Sequence, residues 1–473
     1  MRAVRSITTA AVAAAAAAIA GGCALPDPPP RADIAAQAMP ILSVSDSWAA
    51  SAASISSAVP VTDRWLATFN DPQLDTLVQE ALAFNPDLLV AAARVEQAAG
   101  YVKLAGATLY PQVNFLATGS FGQDSSGLQG GGLFINWELD LWGRIRAGRA
   151  ASQAQYVSAE LDAEYARQSI TALVAKGWFL ATEARLQRGI AEDMVAAGER
   201  QLGFAEDRLR VGVADEYDVT LARAALASYR DSVKSLDLAY QQALRSLELL
   251  VGRYPGALLG VPAQLAAMPG PVPVGMPSEL LERRPDVVAA ERRVAAAFYR
   301  VEEAKAARLP RISLTASVNT ISSEVFVLKD RDNPVWSAGA GLVAPLFLGG
   351  QLQSQVEIRT GEQKQAIAEY GRVGARAFGE VENALAAGFT LEQRETILKQ
   401  AVDYNARALE LANVRYRIGS GDLRAVQQQS LALYGSRTAL LRVQSERLVQ
   451  RVNLHLVLGG SFTELATGPI AAK

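Results

Sequence analysis

The strongest constraint on the fold is an internal repeat that covers most of the chain. The segment Asn85–Leu88 (NPDL) recurs 199 residues later as Arg284–Val287 (RPDV). Further along, Arg208–Gly212 (RLRVG) recurs 207 residues later as Arg415–Gly419 (RYRIG). Matches at such long spacings indicate one structural unit used twice. The difference between the spacings gives the second copy about eight extra residues, and insertions of this kind belong in loops.

Each unit combines helical and strand patterns. Apolar residues between Leu74 and Leu82 recur every three or four positions, which is typical of a helix. In a β-hairpin predicted at about 112–141, apolar and polar residues alternate instead, and this pattern returns at about 311–346. The sequence therefore predicts four strands per chain, each about ten residues long, which suits a membrane-spanning strand.

Two long windows without proline leave room for very long helices. Residues 112–254 and 346–468 contain no proline. A helix of about 65 residues in the first window would be on the order of 100 Å long. Glycine interrupts the helical pattern near 210–218 and again near 417–424, so we expect a helical hairpin tip at each place.

Composition excludes several functions. The chain of 473 residues is 50% apolar and 20% charged with a net charge of -2, so it lacks the basic surface of a nucleic-acid-binding protein. It has one histidine, His455, and one cysteine, Cys23, which excludes a Cys/His zinc cluster, a disulfide and a Cys–His dyad. The glycine-rich run at 127–132 lacks the lysine of a phosphate-binding loop. We therefore predict no enzymatic activity, no cofactor and no bound metal.

The N-terminus is typical of an export signal. Arg2 and Arg5 precede a short apolar run, which ends in Ala-Gly-Gly directly before Cys23. This pattern resembles a bacterial lipobox and predicts a signal peptide at 1–22 with acylation of Cys23. The alternative is an ordinary cleavage site with an incidental cysteine. No later segment has eighteen consecutive apolar residues, so only the strands could cross a membrane.

Four strands of this kind need further copies of the chain if they cross a membrane. An open sheet in lipid leaves the backbone groups at its edges unpaired, at a cost of several kcal/mol each. Two copies would give eight strands, whose interior is filled by side chains. An open channel therefore needs three or more copies.

Several motifs together resemble one protein family. They are the segments Phe69–Leu74 (FNDPQL), Asp140–Arg144 (DLWGR), Leu280–Val287 (LLERRPDV) and Arg415–Gly419 (RYRIG). The chain resembles the TolC-like outer-membrane factors, specifically the lipoprotein branch that serves efflux pumps of the resistance-nodulation-division (RND) class. The resemblance implies a mainly α chain whose homotrimer forms a 12-stranded β-barrel in the Gram-negative outer membrane and a long α-helical barrel in the periplasm. It implies a periplasmic adaptor protein, an inner-membrane RND-type transporter and outer-membrane lipid as partners.

The resemblance also places functional residues at the two tips. Candidate adaptor-docking residues are Arg208, Arg210, Gly212, Arg415, Arg417 and Gly419. The glycines permit a tight turn, and the arginines either contact the adaptor or simply favour the helix dipole. Candidate residues of a periplasmic gate are Asp218, Arg424 and Gln428. Relatives often carry an acidic residue where this sequence has Gln428, and Arg424 either faces the threefold axis, where it would favour anions, or lies outside in solvent.

These observations predict the organisation of the whole chain: a signal peptide (1–22), an acylated N-terminal tether (23–72), repeat 1 (73–262), a proline-rich linker (263–277), repeat 2 (278–462) and a C-terminal tail (463–473). The predicted function is that of an outer-membrane exit duct, which passes drugs or other toxic small molecules out of a tripartite efflux pump. A channel for protein secretion is one alternative. A lipid-anchored periplasmic helical scaffold is another, but it leaves the amphipathic strands unexplained.

Overall fold

The computed structural model describes residues 25–41, 47–50, 64–118, 129–322 and 334–460. The α-helices in these ranges are α1 (Arg31–Ala38), α2 (Pro72–Phe84), α3 (Pro86–Ala107), α4 (Arg144–Arg210), α5 (Glu216–Val251), α6 (Leu280–Arg283), α7 (Pro285–Ala306), α8 (Gln351–Arg417) and α9 (Leu423–Val457). The strands are β1 (Gln112–Thr118), β2 (Gln129–Leu139), β3 (Arg311–Ser322) and β4 (Val335–Val343). Helices α4 and α8 have 67 residues each. The predicted class, mainly α with four strands per chain, is confirmed.

The four strands form one antiparallel sheet in the order β1-β2-β3-β4. Strands β2 and β3 pair from Leu139 opposite Ile312 to Gln129 opposite Ser322, and this pairing joins the hairpins of the two repeats. Within the part of the chain that the structure describes, β1 and β4 each have a partner strand on one side only. Apolar side chains such as Phe115 on β1 and Leu342 on β4 are exposed. The sheet is therefore open at both edges and apolar on its surface.

Strands β2 and β4 each end just before residues that do not continue the strand: a helix-capping aspartate after β2 and a proline after β4. After β2, the carboxylate of Asp140 accepts hydrogen bonds from the backbone N–H groups of Ile145 and Arg146, at 3.0 and 2.9 Å, and so stabilises the first turn of α4. After β4, Pro345 has no backbone N–H to donate to a strand partner. The strands consequently end at Leu139 and Val343, slightly before the bounds expected from the alternation.

The chain divides into two compact units, and each of them is built from both repeats. Of the described residues, the first unit comprises 25–41, 92–118, 129–162, 286–322 and 334–374, and it holds the sheet. The second unit comprises the described residues 47–50, 64–91, 163–285 and 375–460, and it holds both helical tips. Helices α4 and α8 each contribute residues to both units.

The core of the second unit forms around large side chains of α2, α4 and α5. Leu74, Trp178 and Leu247 are each almost fully buried in one hydrophobic cluster. The indole Nε1 of Trp178 donates to a carboxylate oxygen of Asp71 at 2.7 Å, and the other oxygen of Asp71 accepts from the backbone N–H groups of Gln73 and Leu74 at the start of α2. One aspartate therefore caps a helix and satisfies the only polar atom of a buried tryptophan.

Equivalent residues in the two repeats tie the start of one helix to the end of another. Asn85 Nδ2 donates to the carbonyl of Leu250 at 2.8 Å, and Arg284 Nη1 donates to the carbonyl of Val457 at 3.3 Å. Leu250 and Val457 are themselves 207 residues apart, the spacing of the repeat. The second copy adds an ion pair, because the guanidinium of the fully buried Arg284 also contacts Glu380 at 2.7 Å.

A short part of the predicted tether, residues 48–50, is packed on the protein. Trp48 is buried, and its Nε1 donates to the carbonyl of Gly275 in the proline-rich linker at 3.1 Å. The backbone N–H groups of Ala49 and Ala50 each donate to the carboxylate of Glu382 on α8, at 2.8 Å. The predicted lipidation residue, Cys23, lies outside the described residues.

The structure contains a histidine in an unusual setting. His455 is buried near the end of α9, where its ring stacks on Trp65 with ring centroids 5.6 Å apart and an interplanar angle of 13°. Its Nδ1 has no hydrogen-bond partner. Burial, assisted by the charge of Arg451, lowers the pKa of His455 to about 3, so the ring is neutral at physiological pH.

Acidification is expected to destabilise the fold through His455. An unfolded histidine titrates near pH 6.5, so the unfolded chain binds this proton more readily than the folded chain. The free energy of unfolding should therefore fall as pH drops from about 6.5 towards about 3, by roughly 2 kcal/mol at about pH 5. We expect the thermal unfolding midpoint to drop less over this range in His455→Phe, which keeps a ring to stack on Trp65. An equal drop in both proteins would contradict the assignment.

Candidate functional site

The first helical tip is a glycine-ended turn between α4 and α5. Gly212 has a φ of 71°, in the left-handed region. Its N–H donates to the carbonyl of Leu209 at 3.0 Å, and the N–H of Val213 donates to the carbonyl of Arg208 at 3.0 Å. This pair of bonds is the Schellman arrangement that ends many helices. Helix α5 then begins after Asp215, whose carboxylate caps its first turn.

The second tip, between α8 and α9, repeats this construction. Gly419 has a φ of 78°, and its N–H donates to the carbonyl of Tyr416 at 3.2 Å. The N–H of Ser420 donates to the carbonyl of Arg415 at 2.9 Å. Asp422 caps α9 by accepting from the N–H of Ala425 at 2.8 Å. Both tips therefore need glycine for the same reason, a left-handed residue after the last helical turn.

Two arginine–tyrosine pairs connect the tips. The guanidinium of Arg208 lies over the ring of Tyr416, 4.8 Å from its centroid, and its Nη1 donates to the Tyr416 carbonyl at 3.0 Å. The guanidinium of Arg424 lies 5.8 Å from the ring centroid of Tyr217, and its Nη2 donates to the Tyr217 hydroxyl at 3.2 Å. Each pair joins the α4–α5 hairpin to the α8–α9 hairpin through a cation–π contact and a hydrogen bond.

A small apolar cluster lies beside these pairs. Its buried members from both hairpins are Ala205, Val219, Ala222, Tyr416, Leu423 and Val426. Tyr416 also meets Phe204 edge to face, with ring centroids 5.5 Å apart. The two tips are thus packed together by apolar contacts as well as by the arginine–tyrosine pairs.

The other predicted docking residues lie on the surface of the tips. Arg210 is exposed and forms an ion pair with Asp207 on the same helix, and Arg415 and Arg417 are exposed in the last turn of α8. An exposed ion pair on one helix contributes little to stability. These arginines are therefore available to a partner at small cost to the fold.

Apolar side chains are exposed in the same loops. Val211 and Val213 in the first tip and Ile418 in the second are 69%, 60% and 72% exposed. Apolar side chains clustered in an exposed loop and flanked by arginines are typical of a protein-binding surface.

The predicted gate residues have different surroundings. Asp218 is half-buried, and burial raises the pKa of its carboxyl; Asp215 and Asp422 raise it further, while Arg208 opposes the shift. Gln428 is exposed on α9. Arg424 contacts Tyr217 of its own chain. The structure thus brings Asp218 close to the paired tips and leaves Gln428 in solvent within the single chain.

Tyr217 and Tyr416 were missed by the sequence analysis. Tyr416 replaces Leu209 within the repeated five-residue motif, and Tyr217 precedes Arg424 by 207 residues, the spacing of the repeat. The substitution of an apolar residue by tyrosine inside an otherwise repeated motif was a usable signal. Among the residues that the structure describes, no group of three or more His, Cys, Asp or Glu side chains is arranged to hold a metal ion.

Comparison with known proteins identifies the family. The family model described as outer membrane efflux protein matches residues 77–253 and 276–460. The chain belongs to the outer membrane efflux protein family. The predicted function of an outer-membrane efflux channel and the predicted outer-membrane location are therefore confirmed. No helix among the described residues is both long and apolar enough to span a membrane.

Several members of the outer membrane efflux protein family are similar over nearly their whole length. Outer membrane protein OprJ of Pseudomonas aeruginosa is 30% identical over 440 residues, which cover 90% of this chain and 92% of OprJ. The cation efflux system protein CusC of Escherichia coli K12 is 28% identical, with 84% and 88% covered. The pyoverdine export outer membrane protein OpmQ of Pseudomonas putida is 29% identical, with 88% and 91% covered.

Solved structures of similar channels share the fold. The outer-membrane channel OprN superimposes with a TM-score of 0.79 at 27% identity, covering 90% of this chain and 99% of OprN. The MtrE outer membrane channel of Neisseria gonorrhoeae, solved in its open state, superimposes with a TM-score of 0.78 at 26% identity, with 93% and 98% covered. The fold of these channels extends over nearly all of the chain.

Proposed function

We propose that three copies of this chain form the exit duct of a tripartite efflux pump. The observation that carries the proposal is the four-stranded sheet, which is open at both edges and bears exposed apolar side chains. Such edges need further strands before a sheet is stable in lipid. Eight strands would leave an interior filled by side chains, whereas twelve from a homotrimer leave an open lumen.

The cargo is proposed to be a class of small toxic compounds. Relatives with similar identity to this chain are named for cation efflux, pyoverdine export and antibiotic efflux. Cargoes so different in charge and size share no single binding chemistry, which is expected of a duct that passes what an upstream transporter delivers. We propose an inner-membrane RND-type transporter in that role.

The tips are proposed to dock a periplasmic adaptor protein. The exposed apolar residues Val213 and Ile418 lie between exposed arginines, so the matching adaptor surface would carry apolar side chains with an acidic rim. Gly212 and Gly419 shape this surface by ending α4 and α8 in left-handed turns.

Site-specific photocrosslinking in cells tests the docking proposal. A photoreactive amino acid at Val213 or Ile418 is expected to crosslink to a periplasmic adaptor, identified by mass spectrometry. The same probe at Tyr254, an exposed residue after the end of α5, is the control and is expected to give no adaptor. Adaptor crosslinks from Tyr254 alone, or from none of these positions, would contradict docking at the tips.

The paired tips are also proposed to restrict the channel. Arg424 and Arg208 would hold the α8–α9 hairpin against the α4–α5 hairpin, with Asp218 beside them. In this proposal Arg424 acts as a tether to Tyr217 rather than as one of three free charges on the axis, and Gln428 adds no charge. Opening would require both arginine–tyrosine pairs to break.

Removing both tethers is expected to enlarge the channel. In planar lipid bilayers, the Arg208→Ala, Arg424→Ala double variant should show a mean conductance per inserted channel several-fold above wild type, because it is open for more of the time. Two lost cation–π contacts are worth roughly 1–2 kcal/mol together, enough to shift a closed population by about tenfold. Arg407→Ala, which removes an exposed ion pair with Glu410 on α8, is the control. Equal conductance in all three proteins would refute the tether proposal.

The N-terminal anchor is proposed to be an acylated Cys23. Each buried methylene of an acyl chain contributes about 0.8 kcal/mol to membrane binding, so multiple acylation would hold the chain firmly. Mass spectrometry of the mature N-terminus is expected to find a lipid-modified Cys23 as its first residue. An unmodified cysteine, or a mature chain that starts elsewhere, would disprove this anchor.

A further inference from the structure

One end of the sheet collects residues from the ends of all four strands. The strands are antiparallel, so the start of β1, the end of β2, the start of β3 and the end of β4 lie at the same end. Tyr110 precedes β1, Trp142 follows β2, Arg308 lies three residues before β3, Arg311 is the first residue of β3, and Phe347 follows β4. We call this set the strand-base rim.

The rim carries exposed aromatic side chains. Tyr110, Trp142 and Phe347 are 69%, 49% and 87% exposed. The Nε1 of Trp142 donates to the carbonyl of Pro310 at 2.7 Å, which fixes the indole beside the start of β3. Tyrosine and tryptophan are enriched where a membrane meets water, because each has an apolar ring and a polar atom.

The same rim carries two arginines without an acidic partner. Arg308 and Arg311 are exposed, and no carboxylate of the described residues forms an ion pair with either of them. Their neighbours differ in this respect, because Arg144 pairs with Glu138 at 2.8 Å and Lys305 pairs with Glu302 at 2.7 Å. Arg308 and Arg311 therefore each keep a positive charge that no ion pair of the described residues offsets.

These two charges lie at the boundary of an apolar surface. Arg311 is the first residue of β3, and its partner in the sheet register is Val343, which is exposed, as is its neighbour Leu342. A guanidinium at the edge of an apolar strand surface suits a phosphate group above hydrocarbon chains, because it can donate two parallel hydrogen bonds to phosphate oxygens. Anionic lipid surfaces attract such residues electrostatically.

We propose that Arg308 and Arg311 bind the phosphate headgroup of an anionic phospholipid at the membrane surface, with Trp142 held nearby by its hydrogen bond to the carbonyl of Pro310. The inference rests on the proposed function, in that it requires the strands to lie in the membrane. The site would fix how deep the sheet sits in the bilayer. The aromatic rings would lie at the headgroup level while the arginines hold the phosphate.

Lipid retention on the trimer tests the proposal. Trimers from mixed vesicles of phosphatidylglycerol and phosphatidylcholine are released into detergent, and bound lipids are identified by native mass spectrometry. We expect wild type to retain phosphatidylglycerol, and the Arg308→Gln, Arg311→Gln double variant to bind it about 30-fold more weakly, which corresponds to about 1 kcal/mol per arginine. The control is Lys234→Gln, Arg437→Gln, which removes two exposed cations from α5 and α9 of the second unit.

The outcomes separate this inference from the proposed function. Equal phosphatidylglycerol retention in wild type and the double variant, with trimers intact, would overturn the lipid site and leave the duct standing. Displacement of the lipid by millimolar inorganic phosphate would overturn it in favour of a free-anion site. Loss of trimers in the double variant alone would show that the arginines pair across subunits, which also overturns it. Absence of trimers in wild type would overturn the duct itself.

Discussion

Replacing Gly419 by proline is expected to abolish efflux while the trimer still assembles in the outer membrane. Gly419 has a φ of 78°, and proline is fixed near about -65°, so the turn cannot form. Proline also removes the N–H that donates to the carbonyl of Tyr416. Gly212→Pro should act in the same way, since Gly212 has a φ of 71° and bonds to Leu209.

The effect should be confined to the tips because they lie in a different compact unit from the strands. Alanine provides the matched control. No heavy atom lies within 4 Å of a Cβ placed on Gly212 or Gly419. Alanine would therefore destabilise the turn only through its left-handed backbone conformation, by roughly 1–2 kcal/mol. We expect Gly419→Ala to keep most of the efflux activity.

Drug susceptibility and the trimer yield from outer membranes are the measurements for the glycine variants. Wild-type efflux in Gly212→Pro or Gly419→Pro would contradict the assignment of the tips as the functional end. Loss of trimers would instead place these glycines in the assembly core.

Replacing Arg284 by alanine is expected to destabilise the folded chain by about 3 kcal/mol or more. Its side chain is 1% exposed, and its guanidinium contacts Glu380 at 2.7 Å and the carbonyl of Val457 at 3.3 Å. It also lies 5.9 Å from the centroid of the Tyr165 ring. Alanine would leave a cavity and would deprive the Glu380 carboxylate of its buried partner. It would also remove the hydrogen bond that links the end of α9 to the start of α7.

The thermal unfolding midpoint and the trimer yield measure the effect of Arg284→Ala. Arg284→Lys keeps the charge but cannot reach both acceptors with a planar group, so an intermediate loss is expected. Arg407→Ala, which breaks an exposed ion pair, should change stability by no more than about 0.5 kcal/mol. If Arg284→Ala unfolds at the same temperature as Arg407→Ala, the ion pair at Arg284 has no part in stabilising the second repeat.

The long elements were predictable because their signals are regular over many residues. Four strands follow from alternation, and helices of 67 residues follow from windows without proline. The glycines at the tips follow from the interrupted helical pattern. Each of these features depends on local backbone preference and on one apolar face, both of which a sequence records directly.

Contacts between distant parts of the chain were not predictable in the same way. The pairing of β2 with β3 joins the two repeats. The sequence of neither hairpin contains a signal that predicts this pairing. Likewise, the docking of Trp48 against Gly275 depends on the position of the linker, and the tether has no periodic pattern to reveal it. Arg284 was recognised as part of a motif, although its burial with Glu380 required the tertiary structure.

Native mass spectrometry of the intact protein in detergent measures whether the four strands of one chain are completed by those of two further copies to make an outer-membrane duct. We expect particles that contain three chains and remain trimeric on dilution. A stable monomer or dimer under conditions that keep the strands folded would contradict this expectation, because the open edges of the sheet would then need no partner strands.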